Sequence, residues 1–127
     1  MERKILFKAK RLDNSEWVEG NLLLDNSKSE TEAWINPQND KFEFIDVDPS
    51  TVCQFTGLKD KGDNPIWEHD IVTISKGREP CEVIFENGCF KVVSSKGIHT
   101  TIEKGLDYYC WDLRVIDNKF DRKEGEV

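Results

Sequence analysis

At 127 residues, with 37% hydrophobic and 34% charged side chains, the chain has the length of one domain and enough apolar residues to fold around a core. Its formal net charge of -7 opposes a general affinity for nucleic-acid backbones, which rests on lysine and arginine displacing counterions, so nucleic acid is not the expected partner. Only three successive apolar residues follow the basic start, too few for a secretion signal, and no run approaches membrane-spanning length. The expectation is a cytoplasmic protein without a membrane partner, in which Cys53, Cys81, Cys89 and Cys110 are free thiols.

The hydrophobic period is that of strands almost throughout. Ile5, Phe7 and Ala9 share one side while Lys8 and Lys10 face the other, and Asp13, Asn14 and Ser15 turn the chain into a second strand from Trp17. The polar run DNSKSETE reads as a loop before the short apolar stretch around Trp34. NPQND is turn chemistry, and in KFEFIDV the alternation of Phe42 and Phe44 breaks at Ile45. That break indicates either a bulge or a strand buried on both sides. DPSTV suits a single helical turn with Asp48 as cap and Pro49 in the first position.

The clearest element is CEVIFENGCFKVV. Asn87-Gly88 is the preferred pair for a two-residue hairpin turn, which sets Phe85 opposite Phe90 and Val83 opposite Val92 on an apolar face. LDYYCWDLRVI alternates again, with Tyr109, Trp111, Leu113 and Val115 on one side. The last residues are charged and read as a frayed tail.

The stretch from Asp48 to Val72 holds the densest side-chain chemistry. Gly57 and Gly62 have the spacing that opens a phosphate loop, but Asp63 and Asn64 stand where lysine and a hydroxyl residue are required. Asp46 and Asp48 resemble the start of a calcium loop, yet Thr51 occupies the glycine position and no closing glutamate follows. The cysteine spacings suit no zinc site, so neither metal nor cofactor is expected. Glu68-His69-Asp70 places a histidine between carboxylates, which suits acid-base chemistry if they reach the ring, but no nucleophile with recognisable context accompanies it. Trp34 and Tyr108 are the aromatics read as surface residues, and exposed rings mark interfaces.

The run Val47-Asp48-Pro49-Ser50-Thr51-Val52, then Gln54 to Asp60, then Ile66-Trp67-Glu68-His69-Asp70-Ile71-Val72, resembles the signature of the YopX family, small proteins encoded by phages and prophages. The N-terminal Arg3 to Ala9 and Trp17 to Gly20 are similar to that family's opening hairpin, and Val83 to Phe85 with Gly88 to Phe90 to a later one. The resemblance implies a β-rich fold with an SH3-like barrel, and brings no established activity, cofactor or catalytic residue. The family usually has glycine where Cys53 and His69 stand; if those glycines serve positive φ, His69 must take a left-handed conformation.

The expected architecture is mainly β: an SH3-like barrel over residues 48–118, an additional N-terminal β-hairpin region over 1–47 and a flexible tail over 119–127. The expected function is a non-enzymatic protein-interaction module with a phage or host protein as partner, with self-association as a further expectation. Its candidate surface comprises Lys59, Asp60, Trp67, Glu68, His69 and Asp70, together with Trp34 and Tyr108. A nucleic-acid-associated regulator and an enzyme using His69 are the alternatives.

Overall fold

The computed structural model describes residues 5–37, 43–74, 79–94, 97, 99–102 and 112–122. The protein is mainly β, with two antiparallel sheets, and divides into two compact units, Met1–Phe55 and Thr56–Val127. The division falls within a strand.

In the first unit β1 (Phe7–Lys10), β2 (Trp17–Asp25), β3 (Glu32–Asn36) and β4 (Ile45–Val47) form a meander, with β5 (Cys53–Lys59) on the far side of β1. The opening hairpin pairs Ala9 with Val18 and Lys10 with Trp17, and Ser15 in its loop takes φ 62°. Ala9, Ala33, Ile35 and Val47 are buried, with Phe7, Val18, Leu22, Ile45 and Val52 packed around them. Gly20 is required by space: a Cβ there would lie 2.1 Å from the Asn36 carbonyl oxygen. The Asp48 side chain accepts from the Ser50 N–H and caps a 3-10 turn at Pro49–Thr51, the single turn that DPSTV suggested. An isolated bridge between Arg11 and Val47, with Leu12 N–H donating to Asp46 O at 3.1 Å, draws the end of β1 towards β4.

In the second unit β5 pairs with β6 (Pro65–Trp67). The other sheet comprises β7 (Asp70–Thr73), β8 (Cys81–Glu86), β9 (Cys89–Val93), β10 (His99–Thr101) and β11 (Arg114–Asn118), in the order β10-β9-β8-β7-β11. The β8–β9 hairpin has the expected register, Phe85 opposite Phe90 and Val83 opposite Val92, and Asn87 and Gly88 take φ 54° and 81°. Its apolar face is not buried throughout: Val83, Val92 and Phe90 enter the core, whereas Phe85 at the tip is 46% exposed. Ile66, Val72, Ile74, Cys81, Ile102 and Leu113 complete that core. Between Val115 and Asp117 the β11 register shifts, so Val115 packs inward while Ile116 stands in solvent.

The mainly β class holds, and among the described residues neither sheet closes on itself into a barrel. β4 is shorter than the alternation suggested, and Phe44 is exposed rather than buried. Phe42 and the 103–111 segment, with Tyr108, Tyr109, Cys110 and Trp111, lie outside the described residues. Residues 119–122, expected in the tail, form a turn, because Phe120 N–H donates to Asn118 Oδ1 and Lys119 N–H to His69 O. Among the described residues no helix is long and apolar enough to cross a membrane.

Candidate functional site

The acidic, glycine-bearing stretch from β5 to β7 is built around two carboxylates. Asp60 ends β5 and is buried. Its Oδ1 accepts from the N–H groups of Gly62 and Asn64 at 2.8 and 2.9 Å, and its Oδ2 from the N–H of Val115 in β11 at 2.9 Å. Burial pushes this carboxyl's pKa up, but hydrogen bonds from Val115, Asn64 and Gly62 outweigh that and hold it below the usual carboxylate range. The loop that follows turns through Asp63 at φ 66°, with Lys61 N–H donating to Leu113 O.

Asp70 does the same at the next turn. Its Oδ2 accepts from Trp67 N–H at 2.8 Å, closing the Glu68-His69 turn, and its Oδ1 accepts from the Asn118 amide at 3.0 Å. Both carboxylates therefore fasten β11 to this stretch. Ionised carboxylates accept several N–H bonds at once, which makes them effective organisers of otherwise unpaired loop backbone.

His69 takes φ 71°, the left-handed conformation that a residue at a usual glycine position was expected to need. Cys53, the other such position, lies extended in β5 opposite Lys8 and has no positive φ. The His69 backbone donates to Val83 O at 2.7 Å and accepts from Lys119 N–H at 2.9 Å. Nδ1 lies 3.0 Å from Glu82 Oε2, within hydrogen-bond distance. Nε2 is 3.7 Å from Glu68, and the ring meets Phe120 edge-on at 5.2 Å. With its side chain 24% exposed, His69 is embedded in a carboxylate and aromatic setting rather than free in solution. The adjacent hollow is lined by Ile71, Glu79, Pro80, Cys81, Glu82, Val93 and Arg122, and the imidazole is not part of that lining.

The residues singled out from the sequence thus separate. Trp67 is only 5% exposed, and Asp60 and Asp70 are buried, because β6 and the two turns direct them inward to core and backbone. All three side chains lie inside rather than at the surface. Lys59 is exposed and paired with Asp63 at 3.6 Å, while Glu68 and His69 are half-buried. Trp34 lies half-buried on β3 in the first unit, and Tyr108 is outside the described residues. Burial first, and the charge of Glu79 second, push the Cys81 thiol's pKa up. Among the described residues no group of three histidine, cysteine or acidic side chains is placed to hold a metal ion.

The first unit holds the features that sequence reasoning missed. One open hollow of about 400 Å³ is lined by Leu12, residues 30–34, Asp46, Val47 and Pro49. A second of about 410 Å³ is lined by Arg11, Leu12, Asp13 and residues 43–46. Leu12 and Asp46 belong to both, and Leu12 and Phe44 are 64% and 54% exposed. The available signal was Leu12 itself, an apolar residue beginning a polar turn where no core position was predicted.

The described fold is that of a small β protein whose final strand is fastened by side-chain carboxylates from its central turns. The family model described as YopX protein matches residues 6–124, nearly the whole chain, and the chain belongs to the YopX family. No curated protein sequence matches it.

Proposed function

We propose that this chain is a phage- or prophage-encoded protein-interaction module acting in the bacterial cytoplasm. The observation that carries the reading is the exposure of Leu12 and Phe44 at two adjoining hollows of the first unit. Large apolar side chains grouped at a concave surface lower their free energy when a partner removes them from water. The Asp60–Asp70 stretch supports the reading differently, since its polar groups are engaged in holding the fold. An SH3-like arrangement would agree with a binding scaffold, by fold-level analogy alone.

Site-specific photocrosslinking in the bacterial host tests this, with the crosslinker at Thr31 beside the first hollow and, separately, at Lys59. A defined protein adduct from position 31 that Phe44→Ser diminishes is expected. Absence of any adduct from position 31, or a stronger Phe44-independent adduct from position 59, overturns the choice of surface.

A second reading, nucleic-acid association, has one observation behind it. Lys8 and Lys10 place their ammonium groups 4.5 and 5.3 Å from the Trp17 ring, combining positive charge with an aromatic face. Fluorescence polarisation with single-stranded oligonucleotide at low and moderate salt decides it. Salt-insensitive or absent binding, unchanged by Lys8→Glu with Lys10→Glu, removes this reading.

A further inference from the structure

We infer that the paired hollows around Leu12 receive a basic, partly apolar polypeptide segment, in which a lysine or arginine neighbours an apolar side chain; this rests on the interaction-module reading. The argument begins with charge. Asp13, Glu30, Glu32, Glu43 and Asp46 contribute to the linings. Two of them are already neutralised: Arg11 donates to both oxygens of Asp13 at 2.9 and 2.8 Å, and Lys28 meets Glu32 at 3.1 Å. Glu30 and Asp46 are exposed and have no ion pair among the described residues, while Glu43, also exposed, lies in the field of Arg11.

Beneath these carboxylates the surface is apolar. Ala33 and Val47 are buried at the base of the first hollow, with Trp34 and Pro49 half-buried beside them and Leu12 projecting at its boundary. In the second, Phe44 is exposed and Ile45 half-buried among the polar residues Arg11, Asp13, Glu43 and Asp46. An acidic ligand or a nucleic-acid backbone would bring like charge to the unpaired carboxylates. A purely apolar ligand would remove them from water without compensation, which is costly. A lysine or arginine satisfies both halves, because its aliphatic stem covers apolar surface while its cationic head reaches the rim. Trp34, half-buried in the lining of the first hollow, adds an aromatic side chain of the kind that attracts cations.

The backbone around Leu12 is fixed, so the surface is formed before a partner arrives. Leu12 N–H donates to Asp46 O, Arg11 N–H to Glu16 O at 2.9 Å, and Asp48 N–H to Lys10 O at 2.8 Å. Preformed contact residues lose less conformational freedom on association. Both hollows are open and share Leu12 and Asp46 in their linings, which suits an extended segment passing these two residues.

The test uses the full chain and short synthetic peptides: alternating lysine and leucine, alternating lysine and serine, and alternating glutamate and leucine. Heteronuclear NMR titration should shift the amide signals of residues 12, 30–34 and 44–47 with the lysine-leucine peptide alone, and the affinity should fall as salt is raised. Glu30→Lys with Asp46→Lys, and separately Leu12→Ser, should each weaken binding about tenfold. All substituted positions are exposed, so retained amide dispersion confirms the fold in each variant. Equal binding of the lysine-serine peptide, or equal affinity in both variants, overturns the inference. Sedimentation showing a salt-sensitive dimer of the chain alone, dissociated by Asp46→Lys, overturns it in favour of a second copy as occupant. If no peptide binds while position 31 still crosslinks to a protein, the partner chemistry is wrong and the module reading stands; if neither occurs, both fail.

Discussion

Aspartates in the two units live in opposite surroundings. Asp60 and Asp70 are enclosed by N–H groups of their own chain and tie β11 to the turns that precede β6 and β7. Asp46 stands exposed in the linings of two hollows beside Leu12, with no ion pair among the described residues. Equal formal charge therefore carries different meanings. A carboxylate encircled by backbone donors is a structural element, whereas one left in water beside apolar side chains is available to a partner.

The sharpest way to break this comparison is to truncate both kinds. Asp60→Ala leaves the N–H groups of Gly62, Asn64 and Val115 without their acceptor and should lower stability by about 3 kcal/mol in denaturant unfolding. A loss under about 1 kcal/mol, the size of one ordinary hydrogen bond, would show that water replaces the carboxylate and that β11 is held otherwise.

The pH dependence sharpens the same point. Hydrogen bonding overcomes burial to depress the Asp60 carboxyl, so the unfolded chain binds its proton at a higher pH than the folded one. Its stabilising contribution is complete above the unfolded carboxylate value, about 3.9, and is lost as pH falls through the lower folded value. In that acid window stability should rise with pH, and Asp60→Asn should flatten the slope. An unchanged slope would remove Asp60 as its source.

His69 yields a smaller effect with a clean control. His69→Ala and His69→Gly both lose the Glu82 contact and the edge of Phe120, but only glycine relieves the φ of 71°. The glycine variant should be more stable than the alanine variant by about 1 kcal/mol, measured by thermal or denaturant melts. Equality would mean that the turn relaxes around alanine. The smallest effect belongs to the exposed side: Leu12→Ser and Asp46→Ala should each stay within about 0.5 kcal/mol of the parent. A large loss there would make those residues structural and remove the contrast.

Local chemistry was legible wherever it is self-contained. Asn87-Gly88 dictates a turn, the turn dictates register, and Phe85 and Phe90 meet as read, with ring centroids 4.8 Å apart. Asp48 and Pro49 likewise specify their 3-10 turn within four residues. What could not be read were the pairings across long separations. Nothing in the Asp60 neighbourhood shows that Val115 will donate to it, and nothing near Asp70 shows Asn118. Without those partners, a stretch rich in acids and glycine looked like a surface, and Trp67 like its anchor. The hollows were hidden for a related reason: they arise where the residues after β1 meet β4, and neither piece has a motif of its own.

The fastening of β11 also sets an order in time. Asp60 and Val115 are 55 residues apart, and Asp70 and Asn118 are 48 apart, so both closures wait until the end of the second unit has been synthesised. Until then the β8–β9 hairpin can zip by itself, but one flank of β7 lacks its neighbour and Asp60 and Asp70 have only their local donors. Long-range closures of this kind raise the entropic barrier to folding. On the ribosome, the second unit is a late-completing fold whose final strand acts as the last stitch.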